Sequence, residues 1–135
     1  MTTVVIHVFG LGVLHQRVVR AVGRIIAQRR FTALFAAVMG IAGLLVTALH
    51  AIEGWVWAAA YWLLGAPPDL PSSVLFSFGA MTTYGGSDLD LPPHWHLMGA
   101  LEALNGIILF GLTTAVLFSM IQEVWLTERG ERRRH

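Results

Sequence analysis

The chain contains no cysteine and no lysine. The first absence excludes a disulfide framework and thiolate chemistry. The second leaves arginine as the only fixed positive charge. The nine arginines fall into two blocks: Arg17, Arg20, Arg24, Arg29 and Arg30, then Arg129, Arg132, Arg133 and Arg134. From Phe31 to Glu128 there is neither arginine nor lysine. Charge of either sign is scarce, at 13% of residues against 56% hydrophobic, and the mean hydropathy is +0.65. A soluble domain carries roughly twice that share of charge. The composition points to an integral membrane protein, with room for a few membrane helices or one small domain.

Two basic ends around an uncharged middle form a positive-inside pattern. It predicts both termini in the cytoplasm, an even number of crossings and a cell inner membrane. Asp69, Asp88 and Asp90 suit an outward-facing segment. Basic ends also suit nucleic acid, but beside so apolar a stretch they favour anionic lipid headgroups, at Arg17, Arg20 and Arg24. The opening MTTVVIHVFGLGVL has no positive region ahead of its apolar part, so a secretory signal is not expected.

Val4 to Leu14 is apolar but about half the length of a crossing helix, which predicts an interfacial segment, with His7 and His15 as ordinary polar positions. Over Arg17 to Arg30, Val18, Val19, Val22, Ile25 and Ile26 share a face opposite Arg17, Arg20 and Arg24. Residues 1–30 are therefore expected to form an amphipathic N-terminal segment lying flat on the membrane. Phe31 to Leu49 is uncharged and long enough to cross, with Gly40 and Gly43 as a close-packing surface. The helix is expected to run on through His50 and Glu53 to an aromatic belt at Trp55, Trp57, Tyr61 and Trp62. GAPPDLP, residues 65–71, breaks it. Ser72 to Met81 is too short to span, at ~15 Å, and too apolar for a soluble loop. It reads as a re-entrant half-helix capped by Asp69 or Ser72, with Pro71 in its first turn. Leu97 to Ile121 is the second span, Trp125 marks the inner interface, and 126–135 is a basic cytoplasmic tail. The expected fold is an all-α membrane protein. Two transmembrane helices, with a re-entrant pore half-helix and a filter loop between them, form a pore module over 31–125. The interfacial helix precedes it.

Non-helical backbone at membrane depth persists only inside protein or along a watery cavity. A half-helix followed by a polar, glycine-rich strand is one way to build an ion filter. The helix directs its negative C-terminal end at a cation, and the strand turns carbonyls toward the ion. One chain supplies one strand, so a ring of carbonyls calls for a cyclic assembly.

FSFGAMTTYGGSDL, Phe76 to Leu89, resembles the pore signature of potassium channels, in which a filter of TVGYG type is followed by an aspartate. The order helix, half-helix, filter, helix is similar to the two-transmembrane-helix potassium channel pore-module family over about residues 31–125. GALEALNGIILFGLTTAVLF is similar to the second helix of small bacterial ion channels in that family. The resemblance implies a homotetramer conducting potassium or another monovalent cation. Thr82 and Thr83 match the threonine pair, with Thr83 at the innermost ion site; Tyr84 stands at the family's valine, Gly85 at the first filter glycine and Asp88 at the acidic residue beyond. Potassium is implied at Thr83, Tyr84 and Gly85 through backbone and hydroxyl oxygens. Gly86 replaces the filter tyrosine and Ser87 the second glycine. These departures make cation conduction a firmer expectation than potassium selectivity.

Glu102 lies within the second span, where a carboxylate costs roughly 2.5–3.5 kcal/mol, so it is expected to face protein or outer water. With Asn105 one turn below, it is a candidate filter support, coupling to Tyr84 or the half-helix. Gly106 and Gly111 are candidates for a gating hinge, or for helix packing. Thr113, Thr114 and Ser119 are candidate cavity-lining residues, and Phe118 a constriction. His94 and His96 belong to a solvated outer loop. No voltage sensor and no ligand-binding domain is expected. The sequence predicts a cation-channel subunit with no cofactor and no enzymatic activity. The alternative is a non-conducting membrane interaction or assembly subunit on a degenerate pore module. A metal centre of His50, Glu53 and Glu102 is the remotest reading.

Overall fold

The computed structural model describes residues 2–25, 31–82 and 91–132. Among these the chain is all-helical: α1 (Thr2–Ile25), α2 (Phe31–Leu64), α3 (Leu70–Met81), a 3-10 turn (Pro93–Trp95) and α4 (His96–Arg132). Three of the helices are long and apolar enough to cross a membrane, over Thr2–Ala21, Thr32–Leu64 and Pro93–Leu126.

Local sequence explains where the helices stop. Gly65 ends α2 with φ 69°, a left-handed conformation that glycine adopts at little cost. Its N–H donates to the Trp62 carbonyl and the Ala66 N–H to the Tyr61 carbonyl, both at 3.1 Å, closing a Schellman motif. The chain then reverses into α3. Of the two candidate caps, Asp69 takes the role: its side chain accepts from the Ser72 N–H at 2.8 Å, with Pro71 in the first turn.

α3 runs back along α2 and down α4. Phe76 meets the Tyr61 ring edge-on at 5.1 Å, and Phe78 covers Gly54. On α4, Phe76 lies over Gly99 and the end of α3 at Met81 lies on Gly106. α1 runs beside the other half of the bundle, parallel to α4, with Thr3 beside Asn105, His7 beside Thr113 and His15 beside Glu123. Its closest approach to α2 is at Gly10, against Leu49. α2 and α4 pack mainly through α1 and α3, which sit between them. Arg17, Arg20 and Arg24 of α1 and Arg129 and Arg132 of α4 consequently lie toward the same end of the bundle.

Two apolar clusters hold this arrangement. Leu11, Leu14, Val18, Ala42, Val46 and Met120 belong to the one toward the arginine-bearing end, and Tyr61, Ala66 and Leu91 form the other with Trp57, Phe76 and Trp95. Between them lies a polar layer.

The structure corrects the expected N-terminal layout. Val4 to Leu14 and the arginine-bearing segment form one continuous helix, upright against α2 and α4 rather than flat beside them. Thr3, His7, Leu11, Leu14 and Val18 recur at helical spacing and are buried as one stripe, so the face that packs begins fourteen residues before Arg17. Val5 and Phe9 face outward at 70% and 74% exposure, which suits an apolar solvent. The start of α1 accordingly lies beside Asn105, well away from the arginine-bearing end. Within the chain, a side-chain carbon at Gly40 or Gly43 meets nothing within 4 Å, so the close-packing surface expected there is not used between these helices. The close approaches fall at Gly10, Gly54, Gly99 and Gly106 instead.

Gly106 is the tightest, since an added Cβ would sit 2.5 Å from the Met81 carbonyl oxygen, which is backbone. At Gly54 the obstacle is the Phe78 ring at 3.0 Å, which can rotate. Gly106→Ala should therefore destabilise by about 1–3 kcal/mol and Gly54→Ala by less, read as thermal melting in detergent. Equal melting of Gly106→Ala and wild type would refute the close approach.

Candidate functional site

The site is built where α3 ends and α1 begins. Glu102 is fully buried, and the Ser77 hydroxyl of α3 donates to its Oε1 at 2.5 Å. The same hydroxyl lies 2.9 Å from the Gly54 carbonyl of α2, so Ser77 bridges the two long helices. The Tyr61 hydroxyl, also buried, approaches this carboxylate without reaching hydrogen-bond geometry. Glu102 thus faces protein and not outer water. Its partner is the half-helix. Asn105 is buried one turn below, and its side-chain oxygen accepts from Thr3 of α1 at 3.4 Å.

The second group lies one step nearer the arginine-bearing end. His7 of α1 is fully buried, with Nδ1 2.9 Å from Glu53 Oε1 and Nε2 2.9 Å from the Thr113 hydroxyl. His50 Nε2 reaches the same hydroxyl at 3.1 Å, and its Nδ1 lies 3.4 Å from Glu53 Oε2. Phe110 stacks on the His50 ring at 4.3 Å. Three helices therefore each give a polar group to one compact layer.

His7 was not expected here, because a lone histidine in a short apolar run carries no signal by itself. Its spacing from Leu11, Leu14 and Val18 does carry one. The structure also corrects the metal-centre grouping: His7, and not Glu102, joins His50 and Glu53.

Of the expected filter residues only Thr82 is described. It caps α3, its hydroxyl donating to the Phe78 carbonyl at 2.6 Å. Thr83, Tyr84, Gly85, Gly86, Ser87 and Asp88 lie outside the described residues. α4 is helical through both Gly106 and Gly111; the first receives α3 and the second faces open space. Thr113 turns into the polar layer, whereas Thr114, Phe118 and Ser119 are exposed. His94 and His96 stay at the head of α4, apart from both groups.

No protein-family model, curated protein or solved structure matches the chain.

Ser77→Ala removes the donor that Glu102 shares with no other described side chain in hydrogen-bond geometry. A buried group left without its partner costs about 1–3 kcal/mol. Ser77→Ala should lower the melting temperature in detergent, and Ser77→Thr, which keeps the hydroxyl, should lower it less. The reverse order would contradict the bridge.

Proposed function

We propose that the chain is a subunit of a homotetrameric cation channel in a cell inner membrane, with the arginine-bearing end toward the cytoplasm and its headgroups. The observation that carries this reading is the placement of α3. It is a twelve-residue apolar helix, ~18 Å long, that starts at a capped turn and ends against Gly106 partway along α4. Under this reading α3 is a re-entrant pore helix. Its C-terminal carbonyls carry partial negative charge into the bilayer, where a cation is the favoured occupant. Residues 82–88, which follow α3 in sequence, supply the filter under this reading. Thr83, Tyr84 and Gly85 offer the inner oxygens, and Gly86 and Ser87 set an outer half unlike that of a potassium filter. Ser77 and Glu102 fix the helix that aims this strand.

The second reading is a non-conducting membrane interaction or assembly subunit. It is favoured by α1, which fills the space between α2 and α4 directly beyond the end of α3. A conducting assembly needs an open path on another side of that end.

Reconstitution into liposomes separates the two. The channel reading predicts a tetrameric mass in detergent and passive cation flux, compared for potassium and sodium. Glu102→Gln should change that flux or the tetramer's melting. Well-folded tetramers that pass neither ion would contradict the channel.

A further inference from the structure

The layer around Glu53 is short of positive charge. Four side-chain contacts meet there, His7 Nδ1 and His50 Nδ1 to the carboxylate and the two Nε2 atoms to the Thr113 hydroxyl, with the Leu109 backbone a further acceptor for His7. Two neutral imidazoles and one hydroxyl bring three protons to these four contacts, and an ionised carboxylate brings none. The unserved pair is His50 Nδ1 and Glu53 Oε2, both buried and without a hydrogen-bond partner. They lie 3.4 Å apart, acceptor facing acceptor. The arginine nearest along α1, Arg17, is ten residues from His7, or ~15 Å.

We propose that His7, His50 and Glu53 bind a transition-metal dication of zinc type, tying α1 to α2. One ligand atom from each lies within 4.8 Å of the others. Two imidazoles and a carboxylate form a donor set that suits such ions. Metal–nitrogen and metal–oxygen bonds of about 2.0–2.2 Å place tetrahedral ligands roughly 3.3 Å apart. The nitrogen–oxygen distances, 2.9 Å from His7 to Oε1 and 3.4 Å from His50 to Oε2, lie on either side of that edge, and the overall spread of up to 4.8 Å closes as the ligands draw in on the ion. Thr113 supplies the outer support. A hydroxyl oxygen accepts two hydrogen bonds, so both rings can donate through Nε2–H, and in the metal-bound state both Nδ1 lone pairs turn toward Glu53. The cation then sits where those lone pairs converge and neutralises the buried carboxylate. Phe110, stacked on His50, holds that ring in place. This site is independent of whether the assembly conducts.

The test is a cobalt(II) titration of the protein purified without a histidine tag, stripped with chelator, in detergent. Cobalt reports coordination number through its visible absorption, and zinc should displace it. The site predicts one equivalent per chain with four-coordinate absorption, a water completing the three protein ligands, and a melting temperature that rises with metal and falls with chelator. Glu53→Gln should lose this binding. Thr113→Val, which keeps all three ligands, should weaken it by about 10–100-fold. Two outcomes would overturn the proposal: folded wild type that takes up no metal, which leaves a proton in the gap, or binding unchanged in both variants, which places the metal on surface histidines.

Discussion

Two buried carboxylates dictate this architecture. Glu53 and Glu102 both lie in helices apolar enough to cross a membrane, and both are fully buried. Lipid offers such groups nothing, at a cost of roughly 2.5–3.5 kcal/mol each. Each needs a hydrogen-bond donor, and in both cases it comes from one of the two intervening helices. α3 brings Ser77 to Glu102, and α1 brings His7 to Glu53. The two intervening helices are thus the polar complement of the long ones as well as spacers between them.

Apolar packing then fixes the depth of each insertion. α3 is held by Phe76 on Gly99, Phe78 on Gly54 and Met81 on Gly106, of which the last is a backbone contact that leaves no room for a side chain. α1 is held by its Leu11, Leu14 and Val18 stripe in the opposite apolar cluster. Thr3 of α1 and Met81 of α3 come to neighbouring residues of α4, Asn105 and Gly106. The end of one short helix and the start of the other therefore converge on one level. The functional proposals both rest on that level: the end of α3, which the proposed filter segment follows in sequence, and the histidine layer just beyond it.

Much of the upper half was legible in the residues. Asp69, Pro71 and the short apolar run to Met81 state a capped helix locally, and its depth of insertion follows from glycines whose partners are remote in sequence. Glu102 is conspicuous by its setting, and a partner on the half-helix was within the expectation; that the partner is Ser77 depends on the register of α3 against α4. The lower half was not read correctly. Hydropathy sees Val4 to Leu14 as too short and the arginines after it as a surface feature. The decisive signal is the periodicity that joins Thr3 and His7 to Val18. Metal-ligating potential was likewise sought in the wrong trio, because His7 and Glu53 are brought together by tertiary packing alone.

The channel proposal requires the chain to enter and leave by the same face of the membrane around α3. The absence of cysteine allows this to be measured directly with single-cysteine variants in oriented vesicles. Pro68→Cys precedes α3, His94→Cys follows the loop, and Glu128→Cys lies near the arginine-bearing end of α4. A membrane-impermeant thiol reagent should label the first two from one side and the third from the other. Labelling of Pro68→Cys and His94→Cys from opposite sides would mean that α3 crosses, and would contradict the re-entrant arrangement.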